Sequence, residues 1–148
     1  MRPKIILLVE DNPSDVELTR RALHKSHISN QMIVAEDGQE ALDYLFGGDP
    51  LTNTNKNELP ALILLDLKLP KVDGLQVLRQ IRANERTSRV PVVILTTSNE
   101  EQDITQSYDL GANSYIRKPV DFKQFVDVIQ YLGLYWLVMN ETAAPKRR

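Results

Sequence analysis

The chain has 148 residues, the size of one ordinary domain and long enough to bury a real core. Its 18 basic and 20 acidic residues leave a net charge of −2, which excludes a global electrostatic pull toward nucleic acid or an anionic membrane, so a partner must be recognised locally. The absence of cysteine excludes disulfides, thiolate metal sites and cysteine nucleophiles together, and the opening apolar run stops at two acids after Val9, too short for a signal peptide or a spanning helix; a cytoplasmic protein is expected.

The first predicted element is a strand over Ile5 to Val9. "NPSDVELTRRALHK" follows as a helix, with Pro13 suited to an early helical position, Ser14 and Glu17 spaced as a capping box, and Val16, Thr19, Ala22 and Leu23 on one face. A strand over Met32 to Ala35 leads into the helix "DGQEALDYLF". The next segment, "GGDPLTNTNKNELPA", exceeds the usual connection of about 4 to 6 residues and reads as a surface loop over Gly47 to Pro60. A strand over Ala61 to Leu65 precedes the helix "DGLQVLRQIRAN". A strand over Val92 to Leu95 precedes the helix "SNEEQDITQSYDLGA", with Ser98 and Glu101 spaced as a capping box and Gly111 as the stop. The last strand covers Ser114 to Ile116, and "DFKQFVDVIQYLGLYWL" is the last helix.

In that last helix Phe122, Phe125, Val126, Ile129, Leu132 and Trp136 form one apolar stripe. Val128, Tyr131, Tyr135 and Val138 fall on nearly the opposite side at about 100° per residue. One stripe belongs to the core; the second predicts an interface, because tyrosine is enriched where partners desolvate a surface. A homodimer through the fourth and fifth helices is expected. The domain is expected to span 1–137, with 138–148 a frayed tail and no output domain behind it.

The first, third and fourth apolar runs are continuous rather than alternating, as parallel strands covered on both faces require. Five strands alternating with five helices therefore predict an α/β fold, a doubly wound parallel sheet with helices on both faces. In such folds ligands collect at the carboxyl ends of the strands. The residues there are Glu10 and Asp11, then Asp66, then Thr96 and Thr97, then Lys118 and Pro119. Each is ordinary alone: acids open helices, threonine ends strands and aspartate sits in turns. Together they are not, since clustered carboxylates repel unless a cation shares the site.

A hard divalent ion, Mg²⁺ or Mn²⁺, suits that cluster, with Asp11 and Asp66 the best side-chain ligands and Glu10 acting directly or through water. An ion beside a carboxylate also prepares it to attack phosphorus. Asp66 would be that nucleophile. Lys118 would pair with Asp66 before reaction and with a phosphoryl oxygen afterwards, while the Thr96 hydroxyl donates to another.

These residues, with "LLVEDNPSD", "ILLDLKLPKVDG", "PVVILTTS" and "GANSYIRKP", resemble the receiver domain of two-component response regulators over roughly residues 4 to 137. The resemblance implies a flavodoxin-like strand order 2-1-3-4-5, with Asp66 the phosphoacceptor, Glu10 and Asp11 the acidic pair, Thr96 the signalling hydroxyl and Lys118 the lysine of the site. It further implies that Lys68 lends its backbone carbonyl to the metal and that Pro119 follows a cis peptide. Tyr115 falls where the family carries an aromatic that swings inward when the hydroxyl residue moves, and the side chains of Lys68 and Ser98 fall where phosphoryl lifetime is tuned. The implied switch face is helix four, strand five and helix five. The phosphoryl donor would be a sensor histidine kinase. The long loop after helix two, "LLDLKLPKVDG" and the C-terminal "YW" helix are most similar to the regulators that accompany cyanobacterial phytochrome histidine kinases.

Other classes fit less well. A haloacid-dehalogenase-type phosphatase places a second acid two residues after its nucleophile, where this chain has Lys68. A flavodoxin-like FMN protein needs a hydroxyl- and glycine-rich phosphate loop after strand one, and "EDNPSD" would repel a phosphate lacking a metal. A receiver-like scaffold acting without phosphorylation would lack Asp66, Asp11 or Lys118, and all three are present. His24 and His27 read as exposed polar residues at the end of helix one rather than as phosphodonors.

Overall fold

Three strands that are buried at every position occupy the middle of the sheet in the structure, a computed structural model that describes residues 4–25, 30–47, 57–141 and 143–144. The elements run β1 (Ile5–Val9), α1 (Pro13–Lys25), β2 (Gln31–Ala35), α2 (Gly38–Phe46), β3 (Leu62–Leu65), α3 (Gly74–Ala83), β4 (Val92–Thr96), α4 (Glu101–Asp109), β5 (Ser114–Arg117) and α5 (Phe122–Gly133), followed by a π-helical segment, Leu134–Met139. Most of the predicted loop after α2 and His27 lie outside the described residues. All strands are parallel, in the order β2-β1-β3-β4-β5, which is the expected doubly wound arrangement. The edge strands β2 and β5 are only partly buried, as expected of strands with one neighbour.

Successive side chains of each central strand feed opposite layers. Leu7, Val9, Ile63, Leu65, Val92 and Ile94 pack with Ala41, Leu45, Val77, Leu78 and Ile81 from α2 and α3. Ile6, Leu8, Leu62, Leu64, Val93 and Leu95 pack with Ala22, Leu23, Phe125 and Ile129 from α1 and α5. Each fully buried aliphatic side chain contributes about 1.5–3 kcal/mol, so the two layers hold the sheet's carboxyl edge rigid. Among the described residues no helix is long and apolar enough to cross a membrane.

The helix starts share one device. Asp37, Asp73 and Asp121 each accept from the amide three residues on, Glu40 at 2.8 Å, Gln76 at 3.0 Å and Gln124 at 3.1 Å. Two expected capping boxes do not form. At α1, Asn12 Oδ1 accepts from the amides of Ser14 at 2.9 Å and Asp15 at 3.2 Å. Pro13, with no N–H and a φ suited to a helix, starts the helix two residues before the Ser14 box would. At α4, Glu100 is the cap residue and makes no side-chain cap bond, and the Ser98 hydroxyl, two residues before it, donates to Asp103 Oδ2 at 2.6 Å. Gly111, at φ 100°, ends that helix as expected.

The last helix departs from its predicted stripes. Phe122, the first residue of α5, is exposed rather than in the core. Val128 is half-buried against the α1–α5 layer rather than facing outward. The π-helical turn, closed by the Asn140 amide on the Tyr135 carbonyl at 2.7 Å, shifts the phase so that Leu137 enters the core and Trp136 is half-buried. Lys4 Nζ donates to the Leu137 carbonyl at 2.9 Å, tying this segment to the start of β1.

Gly74 joins the fold to the sheet's carboxyl edge. A Cβ there would stand 2.2 Å from the Asp66 carbonyl oxygen and 2.6 Å from Leu67 Cα. The Gly74 amide donates to the Leu67 carbonyl at 2.8 Å, so α3 begins directly against the end of β3. The Gly74→Ala variant is expected to lose about 1–3 kcal/mol of stability, because backbone on both sides must shift. Urea titration followed by circular dichroism checks this, the midpoint falling while the slope is unchanged.

Candidate functional site

Four strand ends converge here because a parallel sheet presents all its carboxyl ends on one edge. Glu10 and Asp11 follow β1, Asp66 follows β3, Thr96 ends β4 and Lys118 follows β5. Carboxylate oxygens of Glu10, Asp11 and Asp66 lie within 4.8 Å of one another. Register explains the convergence: β1 pairs with β3 through Val9 opposite Leu65, so the acids that follow each strand are neighbours. The Asp66 amide donates to the Val9 carbonyl at 3.1 Å, extending that ladder into the site.

Lys118 answers this charge. Its ammonium donates to Glu10 Oε1, to Asp15 Oδ2 at 2.8 Å and to Asp66 Oδ2 at 3.2 Å. The Lys118 side chain is only 6% exposed, so all three bonds act in a medium of low dielectric. Burial opposes its charge, but the hydrogen bonds to Asp15 and Glu10 and the charges of Asp66 and Glu10 outweigh that and hold its pKa above the ordinary lysine range. Glu10 moves the other way. Burial pushes its carboxyl up to about 7; Lys118 pulls it back and the charge of Asp66 pushes it up again.

The peptide between Lys118 and Pro119 is trans, against the expectation of a cis bond. The lysine is aimed inward regardless, because its amide donates to the Thr96 carbonyl at 2.7 Å and its ammonium is held by three carboxylates. Asp15 is the member that sequence reasoning missed. It stands in the first turn of α1, two residues into the helix from Pro13, where an acid is ordinary helix-dipole chemistry.

The remaining expected residues divide. Thr96 is buried, and its hydroxyl oxygen has no hydrogen-bond partner among the described residues. Lys68 is exposed, and its amide faces Asp66 Oδ1 at 3.4 Å. Ser98 points away from the carboxylates: its hydroxyl donates to Asp103 and accepts from the Glu100 amide at 3.3 Å. Tyr115 is half-buried, its phenol donating to the Ser98 carbonyl at 2.9 Å and its amide to the Tyr108 hydroxyl at 3.1 Å. β5 is thereby strapped to the loop that opens α4. His24 is exposed and far along α1 from the cluster.

The donors are all carboxylate oxygens, and one ammonium stands among them. That set fits a hard divalent cation rather than a soft or redox metal. Asp66 spends one oxygen on Lys118, and among the described residues the weak Lys68 amide contact is what reaches the other.

Comparison with known proteins agrees with this site. The family model for the response regulator receiver domain matches residues 6–130. The chain is 41% identical over 143 residues to the probable methanogenesis regulatory protein FilR2 of Methanothrix harundinacea (strain 6Ac), covering 97% of this chain and 90% of that protein. It is 41% identical over 135 residues to the response regulator Rcp1 of Synechocystis sp. (strain ATCC 27184 / PCC 6803 / Kazusa), covering 91% of this chain and 90% of that protein. The crystal structure of Mn²⁺-bound Rcp1 superposes with a TM-score of 0.87 at 39% identity, covering 96% of this chain and all (100%) of that one. The phosphorylated cyanobacterial phytochrome response regulator RcpA superposes equally, with a TM-score of 0.87 at 38% identity over 97% of this chain and 100% of that one. The chain therefore belongs to the response regulator receiver domain family and is related to the phytochrome response regulators.

Proposed function

We propose that this chain accepts a phosphoryl group on Asp66 from the phosphohistidine of a sensor histidine kinase, and that the kinase is a phytochrome. The observation that carries this reading is the buried Asp66–Lys118 pair inside a carboxylate cluster on the sheet's carboxyl edge. An Asp66 oxygen forms the new bond to phosphorus. The bond from phosphorus to the histidine nitrogen breaks, its electron pair staying on the imidazole, which then takes up a proton. Lys118 holds Asp66 in place and offers its ammonium to the charge on the transferred group. Thr96, a buried hydroxyl without a partner, donates to another phosphoryl oxygen. Glu10, Asp11 and Asp66, with the Lys68 carbonyl, would hold Mg²⁺ or Mn²⁺, and the ion when bound supplies charge neutralisation between carboxylate and phosphoryl oxygens. Rcp1 was crystallised with Mn²⁺ and RcpA in its phosphorylated form, which supports both parts.

The readout follows from Thr96. Its hydroxyl is drawn toward the phosphoryl group, and Tyr115, anchored on the Ser98 carbonyl two residues beyond Thr96, shifts with it. α4, β5 and α5 then change together. The partner for part of that face is a second copy of the chain. Tyr131, Tyr135 and Val138 are 73%, 51% and 64% exposed, and Leu134 and Met139 extend the same apolar surface.

Incubation with Mg²⁺ and a small acyl phosphate donor is expected to add one phosphoryl group to the wild type and none to Asp66→Asn, read by intact mass. Equal gain in both proteins, or none in the wild type, would rule out this reading. Phosphotransfer from a purified phytochrome kinase should exceed that from unrelated sensor kinases. Equal or slower transfer would remove the light-signalling assignment.

Glu10, held near pH 7 without metal, must release a proton when the cation binds. Calorimetry is expected to show Mg²⁺ affinity rising by up to about tenfold per pH unit below pH 7 and levelling above it. A flat profile from pH 5.5 to 8 would contradict the raised Glu10 value.

For the second copy, sedimentation velocity should find a dimer in the wild type and a monomer when Tyr131→Ser and Tyr135→Ser are combined. A dimer that survives both changes would place the interface elsewhere.

A further inference from the structure

The two ends of α4 are held differently. At the carboxyl end, Arg82 in the last turn of α3 donates from Nε to the Gly111 carbonyl at 2.9 Å, from Nη2 to Asn113 Oδ1 at 2.9 Å and from Nη1 to the Val90 carbonyl at 2.7 Å. Asn113 Oδ1 also accepts from the Val92 amide at 2.8 Å, so one planar guanidinium joins α3, the start of β4 and the turn that leaves α4. That turn is packed close, since a Cβ at Gly111 would stand 3.0 Å from Arg82 Nε. The same end is tied to β5, because the Tyr108 hydroxyl, in the last turn of α4, accepts from the Tyr115 amide at 3.1 Å. Ser107, the buried side chain of α4, lies in this half, and Leu110 packs against the α2–α3 layer.

The amino end has weaker ties. Glu100 makes no side-chain cap bond, Glu101 and Gln102 are exposed, and Asp103 and Ile104 are half-buried. This end is joined to β5 by the Tyr115 phenol on the Ser98 carbonyl at 2.9 Å, and the Ser98 hydroxyl holds Asp103. Tyr115 therefore grips α4 twice, by its backbone at one end and by its side chain at the other. A shift of the side chain breaks the second bond and spares the first, because the β5 backbone stays in its ladder with β4. Thr96, drawn toward the phosphoryl group, pulls Ser98 two residues on and Asp103 with it.

We propose that α4 is a lever hinged at its carboxyl end, with Arg82 and Tyr108 as the anchors. Phosphorylation swings residues 100–104 and leaves 108–113 in place. The amino end of α4, with exposed Glu100 and Glu101, is then the part of this helix that a partner can read. The inference rests on Asp66 as phosphoacceptor and on Thr96 and Tyr115 as its readout.

The test is a pair of distances between spin labels, which a chain without cysteine allows to be placed one pair at a time. A reference label on Glu40→Cys in α2 is paired with a label on Gln102→Cys or on Asp109→Cys, all at exposed positions. With saturating Mg²⁺ and beryllofluoride, an analogue of the phosphoryl group, the 102 distance is expected to change by about 2 Å, the scale of helix shifts in switching proteins, and the 109 distance to stay fixed. Arg82→Lys keeps the charge but loses the planar fork, and Tyr108→Phe loses only an exposed hydroxyl. In each the 109 distance is expected to move as well.

Equal movement of both labels in the wild type, movement of the 109 label alone, or no movement of either while beryllofluoride binds would overturn the lever and leave the phosphoacceptor reading intact. A 109 distance that stays fixed in every anchor variant that folds would overturn the assignment of the anchors. Failure of the wild type to bind beryllofluoride at all would overturn the phosphoacceptor reading itself.

Discussion

One buried ammonium holds the site together. Lys118 arrives from the end of β5 and meets carboxylates from the end of β1, the first turn of α1 and the end of β3. Removing that charge would leave Glu10, Asp11 and Asp66 packed within 4.8 Å with no cation of the chain's own, an arrangement that costs several kcal/mol in a medium of low dielectric. The carboxyl of Glu10 is raised chiefly by its burial, with Lys118 pulling it back and the charge of Asp66 adding to the rise. The fold tolerates this because two apolar layers clamp the strands from both sides, and because a divalent cation would relieve it. Stability is given up at the carboxyl edge, where the proposed reaction with phosphorus would take place.

The same edge transmits the chemistry outward. Thr96 has a buried hydroxyl without a partner, and two residues on, the Ser98 carbonyl carries the Tyr115 phenol. Ser98 also ties itself to Asp103 in the first turn of α4. A small movement of Thr96 is therefore felt by β5 and α4 together, since each is joined to one short loop. The outer face of α5 adds a tyrosine-rich surface on the opposite side from the core. A phosphoryl group on Asp66, as proposed, would act on this joined unit, and switching would require the unit to have a second packing.

Much of this was legible in the residues. The apolar runs of β1, β3 and β4 are unbroken, and unbroken runs are read correctly because both faces of a central parallel strand are covered. The acids, the threonine and the lysine follow strand ends, so topology alone brings them together. Local hydrogen bonding was less legible. Ser14 and Ser98 match capping boxes in spacing, yet Asn12 and the backbone geometry ahead of α4 decide the caps. Along the last helix Tyr131, Tyr135 and Val138 are exposed and Trp136 packs against the core as expected, Phe122 and Val128 depart from their stripes, and the π-helical turn adds Leu137 to the core. Asp15 carried no usable signal, since an acid in the first turn of a helix is common and its bond to Lys118 spans 103 residues of sequence. The bond before Pro119 is trans rather than cis, and Lys118 is held inward by its three carboxylate partners.

The central claim is that Asp66, among four neighbouring acids, is the one that carries phosphorus. Borohydride reduction of the phosphorylated chain converts an aspartyl phosphate to homoserine, which peptide mass spectrometry locates. Homoserine at position 66 and at no other acid is the predicted result. Homoserine at position 11 or 15, with Asp66 unchanged, would contradict it.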